Sequence, residues 1–186
     1  MAFISSKKEK KETKIITWDM MLSDAKDKNI TLTPFDIYAY VNTFDDIEII
    51  NDDLSSEISG MIEYIGDGFI ITINKYHSYE RRRFTLAHEF GHYCMHREYL
   101  INNKSIKDVA LFRSENTKNQ KEFEANEFAA KLLMPKDDFL NIIKSGKTRL
   151  GDIAEHFGVS AAAAKYRAYR LDLIKEYWWN IFISQL

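Results

Sequence analysis

The sequence contains little cysteine, little net charge and no long apolar run. Its single cysteine, Cys94, excludes an internal disulfide and fits a reducing compartment. A net charge of -2 over 186 residues argues against a general nucleic-acid or membrane-surface binder. No apolar run approaches the roughly 18–20 residues that span a bilayer. These absences predict a cytoplasmic protein without a membrane segment.

Hydrophobic residues make up 45% of the chain and aromatic residues 13%, which is enough to build a packed core. Residues 1–14 differ from the rest, because they hold five lysines and two glutamates and no apolar run follows them. We predict a flexible basic N-terminus over 1–14, one domain over 15–146 and a helical subdomain over 147–186.

The apolar patterns predict an α+β fold with a small, mostly antiparallel sheet. Three β-like segments cover 47–50, 58–65 and 69–73, and Gly66-Asp67-Gly68 predicts a hairpin between the last two. Residues 101–119 are polar and are predicted to form a loop. Helical patterns cover 15–27, 33–42 with Thr33 as N-cap, 78–99, 120–134, 137–144, 149–156 and 161–173 with Ser160 as N-cap.

The helix over 78–99 carries the sequence His88-Glu89-Phe90-Gly91-His92. Histidines four residues apart lie on one face of a helix, where both imidazoles can bind a single metal ion. Zinc lowers the pKa of a water molecule towards 7, and the neighbouring Glu89 is placed to accept its proton. We predict His88 and His92 as metal ligands and Glu89 as the catalytic base. The alternative is a helix with two incidental histidines.

A catalytic zinc site usually has three protein ligands, so one more is needed. The helix over 120–134 offers two candidates, Glu122 and Glu124. At 100° per residue, Glu122 lies about 50° from the centre of the apolar face of this helix and Glu124 about 110° from it. The sequence therefore favours Glu122 as the third ligand and keeps Glu124 as the alternative.

Three other features of the first helix need an interpretation. Gly91 weakens a helix by roughly 1 kcal/mol relative to alanine, which suggests close approach of another backbone or of substrate. His96 continues the histidine stripe but lies too far along to share the ion, so it is either a surface residue or a contact of the site. The run Arg81-Arg82-Arg83 is interpreted as a solvated helix start.

Two long motifs occur in a fixed order. The first is Arg83-Phe-Thr-Leu-Ala-His-Glu-Phe-Gly-His92, and the second is Glu122-Phe-Glu-Ala-Asn-Glu-Phe-Ala-Ala-Lys-Leu-Leu-Met-Pro135. Together with Gly68-Phe-Ile-Ile-Thr-Ile-Asn74 and Ile153-Ala-Glu-His-Phe-Gly-Val-Ser160, they resemble the ImmA/IrrE family of metallopeptidases. The resemblance covers roughly residues 33–173, and Tyr177-Trp178-Trp179 has no counterpart in it.

The resemblance implies a gluzincin-like fold in which a small sheet and two helices present His88, His92 and Glu122 to Zn²⁺. We therefore expect the domain over 15–146 to be the zinc metallopeptidase domain. It also implies that Phe69–Ile73 is an edge strand to which an extended substrate adds as a further strand.

Members of that family are often encoded on mobile elements or phages, where they cleave a helix-turn-helix repressor and release the genes that it silences. Others act in stress responses or as toxin-like partners of such repressors. The resemblance therefore implies a zinc endopeptidase with a protein substrate, most simply a helix-turn-helix transcriptional repressor.

Two other functions are compatible with parts of the sequence. The helices around Val159-Ser160 resemble a helix-turn-helix, but Ala161-Ala162-Ala163-Ala164 offer no donor or acceptor to base edges, so direct DNA binding is disfavoured. A zinc-bearing interaction module without proteolysis is the other alternative, although metal binding alone would not need Glu89.

Overall fold

The computed structural model describes residues 18–109 and 116–174, with side chains placed except at 19, 107–109 and 116–119. The predicted basic N-terminus and Tyr177-Trp178-Trp179 lie outside the described residues. The elements are α1 (Trp18–Asp27), α2 (Ile37–Val41), β1 (Ile47–Asp52), β2 (Ile58–Ile65), β3 (Gly68–Asn74), α3 (Tyr79–Met95), α4 (Arg97–Asn103), β4 (Ser105–Val109), α5 (Asn116–Leu133), α6 (Lys136–Lys144), α7 (Leu150–Phe157) and α8 (Ala161–Arg170).

The described strands form one sheet in the order β1-β3-β2-β4. Strands β2 and β3 make the predicted hairpin, and Gly66 at its turn has a φ of +64°, a conformation that glycine adopts without strain. Strand β1 runs parallel to β3, while β4 runs antiparallel to β2. The predicted α+β class and the mostly antiparallel sheet are therefore confirmed.

The expectation that Phe69–Ile73 is an edge strand is wrong. Strand β3 is paired on both sides, with Ile47 opposite Phe69 on one side and Gly60 opposite Ile73 on the other. Its main-chain groups are committed to these ladders, so an added peptide strand has no free edge there. The edges of the described sheet are β1 and β4.

The predicted loop over 101–119 is also wrong over much of its described part. Helix α4 continues to Asn103, and β4 then pairs with β2, with Ile106 opposite Ile62. The predicted helix over 78–99 divides at His96, which ends α3 and precedes α4 with a non-helical φ of -119°. Residues 110–115 lie outside the described chain.

Helix α3 packs beneath the sheet and is the central element of the core. Leu86, Ala87 and Phe90 have no exposed surface. The Phe90 ring meets Tyr40 edge-on, and Tyr40 belongs to α2. That helix starts later than predicted, because its N-cap is Asp36, whose carboxylate accepts a hydrogen bond from the Ala39 N–H, and not Thr33.

Helices α7 and α8 pack against α6 and α5, respectively. Ser160 is the N-cap of α8, as predicted, and accepts from the Ala163 N–H. Arg170 pairs with the buried Glu127 of α5, whose carboxylate also accepts from the Tyr166 hydroxyl. These contacts join 147–174 closely to α5, and the domain boundary at 146 stays a prediction.

Arg83 is not a solvated residue, contrary to the interpretation of Arg81-Arg82-Arg83 as a solvated helix start. It is 2% exposed, and its guanidinium donates to the carbonyl oxygens of Phe35, Phe157 and Gly158. Burial lowers the pKa of Arg83, but a guanidinium stays charged at neutral pH. Arg83 thereby ties the start of α3 to the turn between α7 and α8.

Within the described residues, no helix combines the length and the apolar character needed to cross a membrane.

Candidate metal centre

Helix α3 buries the motif residues predicted from the sequence. Ser78 caps the helix by accepting a hydrogen bond from the Arg81 N–H, and the helix then runs without a break through the motif. His88 is 2% exposed, while Glu89 and His92 have no exposed surface. The four-residue spacing brings the two imidazoles together, with 3.1 Å between His88 Nε2 and His92 Nε2.

Helix α5 adds the Glu122 carboxylate to this pair. Glu122 Oε2 lies 3.1 Å from His88 Nε2, and Glu122 Oε1 lies 3.4 Å from His92 Nε2. Ligand atoms of His88, His92 and Glu122 all lie within 4.8 Å of one another, so this group could hold a metal ion. We call these three residues the metal group.

The donor set and its spacing fit a tetrahedral metal. Ligands about 2.0–2.1 Å from a tetrahedral ion lie about 3.3–3.4 Å apart, close to the separations in the metal group. Two imidazoles and one carboxylate are also the donors of a common class of catalytic zinc site, in which the fourth position stays open. The metal group can therefore take such an ion with small side-chain adjustments.

The protonation states within the metal group favour metal binding. Burial lowers the pKa of His92 to about 4, which leaves its imidazole neutral at pH 7. Burial would raise the pKa of the Glu122 carboxyl, but the adjacent His88 and His92 outweigh burial and hold that pKa well below the usual range. Neutral imidazoles and an ionised carboxylate are the forms that bind metals.

Asn126, one turn after Glu122 on α5, orients His88. Its Oδ1 lies 3.0 Å from His88 Nδ1. Because an amide oxygen can only accept, His88 Nδ1 carries the proton, and Nε2 presents its lone pair towards the metal group. Sequence reasoning missed this residue, although its i+4 relation to Glu122 places both on one face of the helix.

Glu124 and His96 lie outside the metal group but contact each other beside it. Glu124 Oε2 is 2.9 Å from His96 Nε2, and His96 Nδ1 is 2.9 Å from His92 Nδ1. His96 was predicted to be either a surface residue or a contact of the site. It is 7% exposed, so it is not a surface residue. The structure thus gives Glu122, and not the alternative Glu124, a place next to both histidines.

Strand β2 passes close to Glu89 at Gly60. A Cβ at Gly60 would lie 2.5 Å from Thr85 Cγ2 and 3.2 Å from Glu89 Oε1. Any side chain there would displace either the strand or the Thr85 side chain and would press on the Glu89 carboxylate. Sequence reasoning also missed Gly60, although an isolated glycine inside a β-like run suggests a close approach of the backbone.

Comparison with known proteins agrees with this geometry. The family model described as the IrrE N-terminal-like domain of the M78 peptidases matches residues 45–169. This chain belongs to the M78 peptidase family. The resemblance to ImmA/IrrE proteins is thereby confirmed, and membership supports a metallopeptidase-type function.

Two similar proteins extend this finding for the M78 family member described here. A protein of Bacillus phage phi105 named "uncharacterized immunity region protein 2" is 33% identical over 134 residues, covering 72% of this chain and 78% of that protein. A solved structure of a Mycobacterium tuberculosis transcriptional regulator has a TM-score of 0.60 and 15% identity, covering 81% of this chain and 45% of that one. The chain therefore spans less than half of that regulator, and the likeness concerns the fold alone.

Gly91 in this M78 family member allows α3 and α5 to approach closely. A Cβ at Gly91 would lie 3.0 Å from Phe128 Cδ1 and 3.2 Å from Phe128 Cγ. The predicted close approach thus comes from a side chain of α5, rather than from a backbone or a substrate. Because α5 also carries Glu122, this contact helps to set the distance between the carboxylate and the two histidines.

Gly91→Leu is expected to lower the free energy of unfolding by about 1–3 kcal/mol, since an overpacked helix contact forces backbone shifts. It should also weaken metal binding, because Glu122 moves with α5. Urea unfolding and zinc titration measure the two effects. Gly151→Leu is the matched control, since Gly151 is helical and a Cβ there meets no atom within 4 Å. Equal stability of the two variants would contradict the role given to Gly91.

Proposed function

We propose that this chain is a zinc-dependent endopeptidase that cleaves a helix-turn-helix transcriptional repressor and so relieves repression of a phage, mobile-element or stress operon. The observation that carries the proposal is the metal group, whose three ligand atoms lie within 4.8 Å of one another, with Glu89 next to His88 in the chain and fully buried. Zinc is the metal that this donor set suits.

Bound zinc would supply Lewis acidity, which lowers the pKa of a water molecule and polarises a peptide carbonyl. Glu89 accepts the proton of the water as its oxygen bonds to the carbonyl carbon. The same carboxyl group then donates this proton to the amide nitrogen as the C–N bond breaks. The water is thereby consumed, and one new carboxyl group and one amine are the products.

The choice of a repressor as substrate is supported by the resemblance to ImmA/IrrE proteins and by the name of the phage relative, which places that protein in an immunity region. A repressor substrate also implies that the chain works in the cytoplasm. Direct DNA binding is the less favoured function. Helix α8 carries three basic residues that could contact phosphates, Lys165, Arg167 and Arg170. Two of them make contacts within the fold, since Arg167 donates to the Met134 carbonyl and Arg170 pairs with Glu127.

The test is co-expression with the helix-turn-helix repressor encoded at the same locus, with the length of the repressor followed by mass spectrometry. Wild type is compared with Glu89→Gln, which keeps the size of the side chain and leaves the metal group in place but removes the base. Glu155→Gln on α7 is the matched control, because Glu155 is exposed and far along the chain from the motif. Cleavage by wild type and Glu155→Gln, but not by Glu89→Gln, is the expected result.

Equal cleavage by wild type and Glu89→Gln would contradict the role of Glu89. If neither protein cleaves but the chain and the repressor co-purify, the peptidase proposal fails. The alternative of a non-proteolytic zinc-bearing partner, including a toxin-like one, would then replace it.

A further inference from the structure

A row of hydrogen-bonded side chains connects His92 of the metal group, through His96, to Glu124 on the exposed side of α5. His92 Nδ1 lies 2.9 Å from His96 Nδ1, and His96 Nε2 lies 2.9 Å from Glu124 Oε2. The other oxygen of Glu124 accepts a hydrogen bond of 2.7 Å from the Gln120 amide. His92 has no exposed surface and His96 is 7% exposed, whereas the Glu124 side chain is 40% exposed.

The protons in this chain can be placed in one consistent way. His92 must offer the lone pair of Nε2 to a metal, so its proton sits on Nδ1 and is donated to His96 Nδ1. His96 then accepts at Nδ1 and carries its own proton on Nε2. That proton is donated to Glu124, because an ionised carboxylate can only accept. The two hydrogen bonds therefore favour the same tautomer of His96.

We propose that His96 and Glu124 are positioning residues that hold His92 in the tautomer and orientation that bind the metal. The inference rests on the metal group of the proposed function, but it concerns different residues. A partner for the second nitrogen of a metal-binding imidazole fixes the ring and raises its basicity. Here the partner of His92 is a second imidazole, which is itself fixed by a carboxylate.

The break between α3 and α4 explains why His96 can take this place. His96 has a φ of -119°, outside the helical range, where the chain leaves α3 and turns into α4. The side chain at this break lies between His92 and α5. Helix α5 thus sets both imidazoles of the metal group, through Asn126 at His88 directly and through Glu124 at His92 by way of His96.

The experiment measures zinc affinity by competition with a chromogenic chelator. His96→Phe is expected to weaken zinc binding about 10–100-fold, the usual effect of losing a partner of a metal-binding histidine, and Glu124→Ala about tenfold. His96→Asn places an oxygen acceptor near the position of Nδ1 and should recover part of the affinity lost in His96→Phe. Glu98→Gln is the matched control, since Glu98 is exposed on α4 and close to His96 in sequence.

A second measurement is independent of the metal. Nitrogen-15 spectra of metal-free protein with labelled histidine should show His96 protonated at Nε2 and bare at Nδ1. Glu124→Ala should remove this preference while the backbone spectrum of α3 is retained. A structural role of Glu124 alone would leave the tautomer unchanged.

The inference would be overturned if His96→Phe and Glu124→Ala bound zinc as tightly as wild type. It would also be overturned if His96 carried its proton on Nδ1. A wild-type protein that binds zinc but cleaves no repressor would defeat the proposed function and leave this inference to be decided by the affinities. A wild-type protein that binds no zinc would overturn both.

Discussion

Glu122→Ala is expected to lower the zinc affinity of the protein by more than about a hundredfold and to abolish peptidase activity. Loss of a partner outside the metal's own ligands already costs about 10–100-fold, and the Glu122 carboxylate lies within 3.4 Å of both histidines. Without Glu122, the site also lacks the negative charge that offsets part of the positive charge of the ion. Competition with a chelator and isothermal titration calorimetry measure the loss.

The fold should survive this substitution, because the Glu122 side chain is 28% exposed and its truncation opens towards solvent. Glu155→Ala, on the exposed face of α7, is the comparison and should bind zinc as wild type does. If Glu122→Ala bound zinc within threefold of wild type, the third ligand would have to be sought elsewhere.

Arg83→Met is expected to lower the free energy of unfolding by on the order of 3–5 kcal/mol. The substitution keeps a long apolar stem but removes the donors to the carbonyl oxygens of Phe35, Phe157 and Gly158. Hydrogen bonds to a charged group contribute about 1.5–3 kcal/mol each, and a buried acceptor left without a donor costs about 1–3 kcal/mol. Such a loss is a large part of the usual stability of a domain.

Arg149→Met is the control for charge and composition, since Arg149 is exposed and precedes α7. Urea midpoints measured by fluorescence and by circular dichroism should fall far for Arg83→Met and stay near wild type for Arg149→Met. Equal midpoints for the two variants would show that the buried hydrogen bonds of Arg83 contribute little.

Features with a local cause could be predicted from the sequence. The spacing of His88 and His92 is a property of a single helix, and the hairpin at Gly66 needs a residue that tolerates positive φ. The preference for Glu122 over Glu124 followed from the apolar face of one helix, and the structure places Glu122 beside the histidines. In each case, neighbours within a few residues determine the outcome.

Features that depend on distant pairing could not be predicted. The polar sequence of β4 forms a strand because it pairs with the edge of β2. Strand β1 pairs with the side of β3 that was expected to be free. Arg83 stands beside two other arginines, and its burial follows from carbonyl groups about 50 and 75 residues away. One partner of His96, the Glu124 carboxylate, likewise comes from another helix.

The hydrogen bonds of Arg83 also limit how the gene for this chain can recombine with related genes. A crossover near residue 146 would join α3 and α5 of one parent to α7 and α8 of another. The hybrid would keep Arg83 but would have to supply carbonyl groups in the same places, together with partners for Glu127 and Met134. We therefore expect 147–174 to be inherited together with the motif helices.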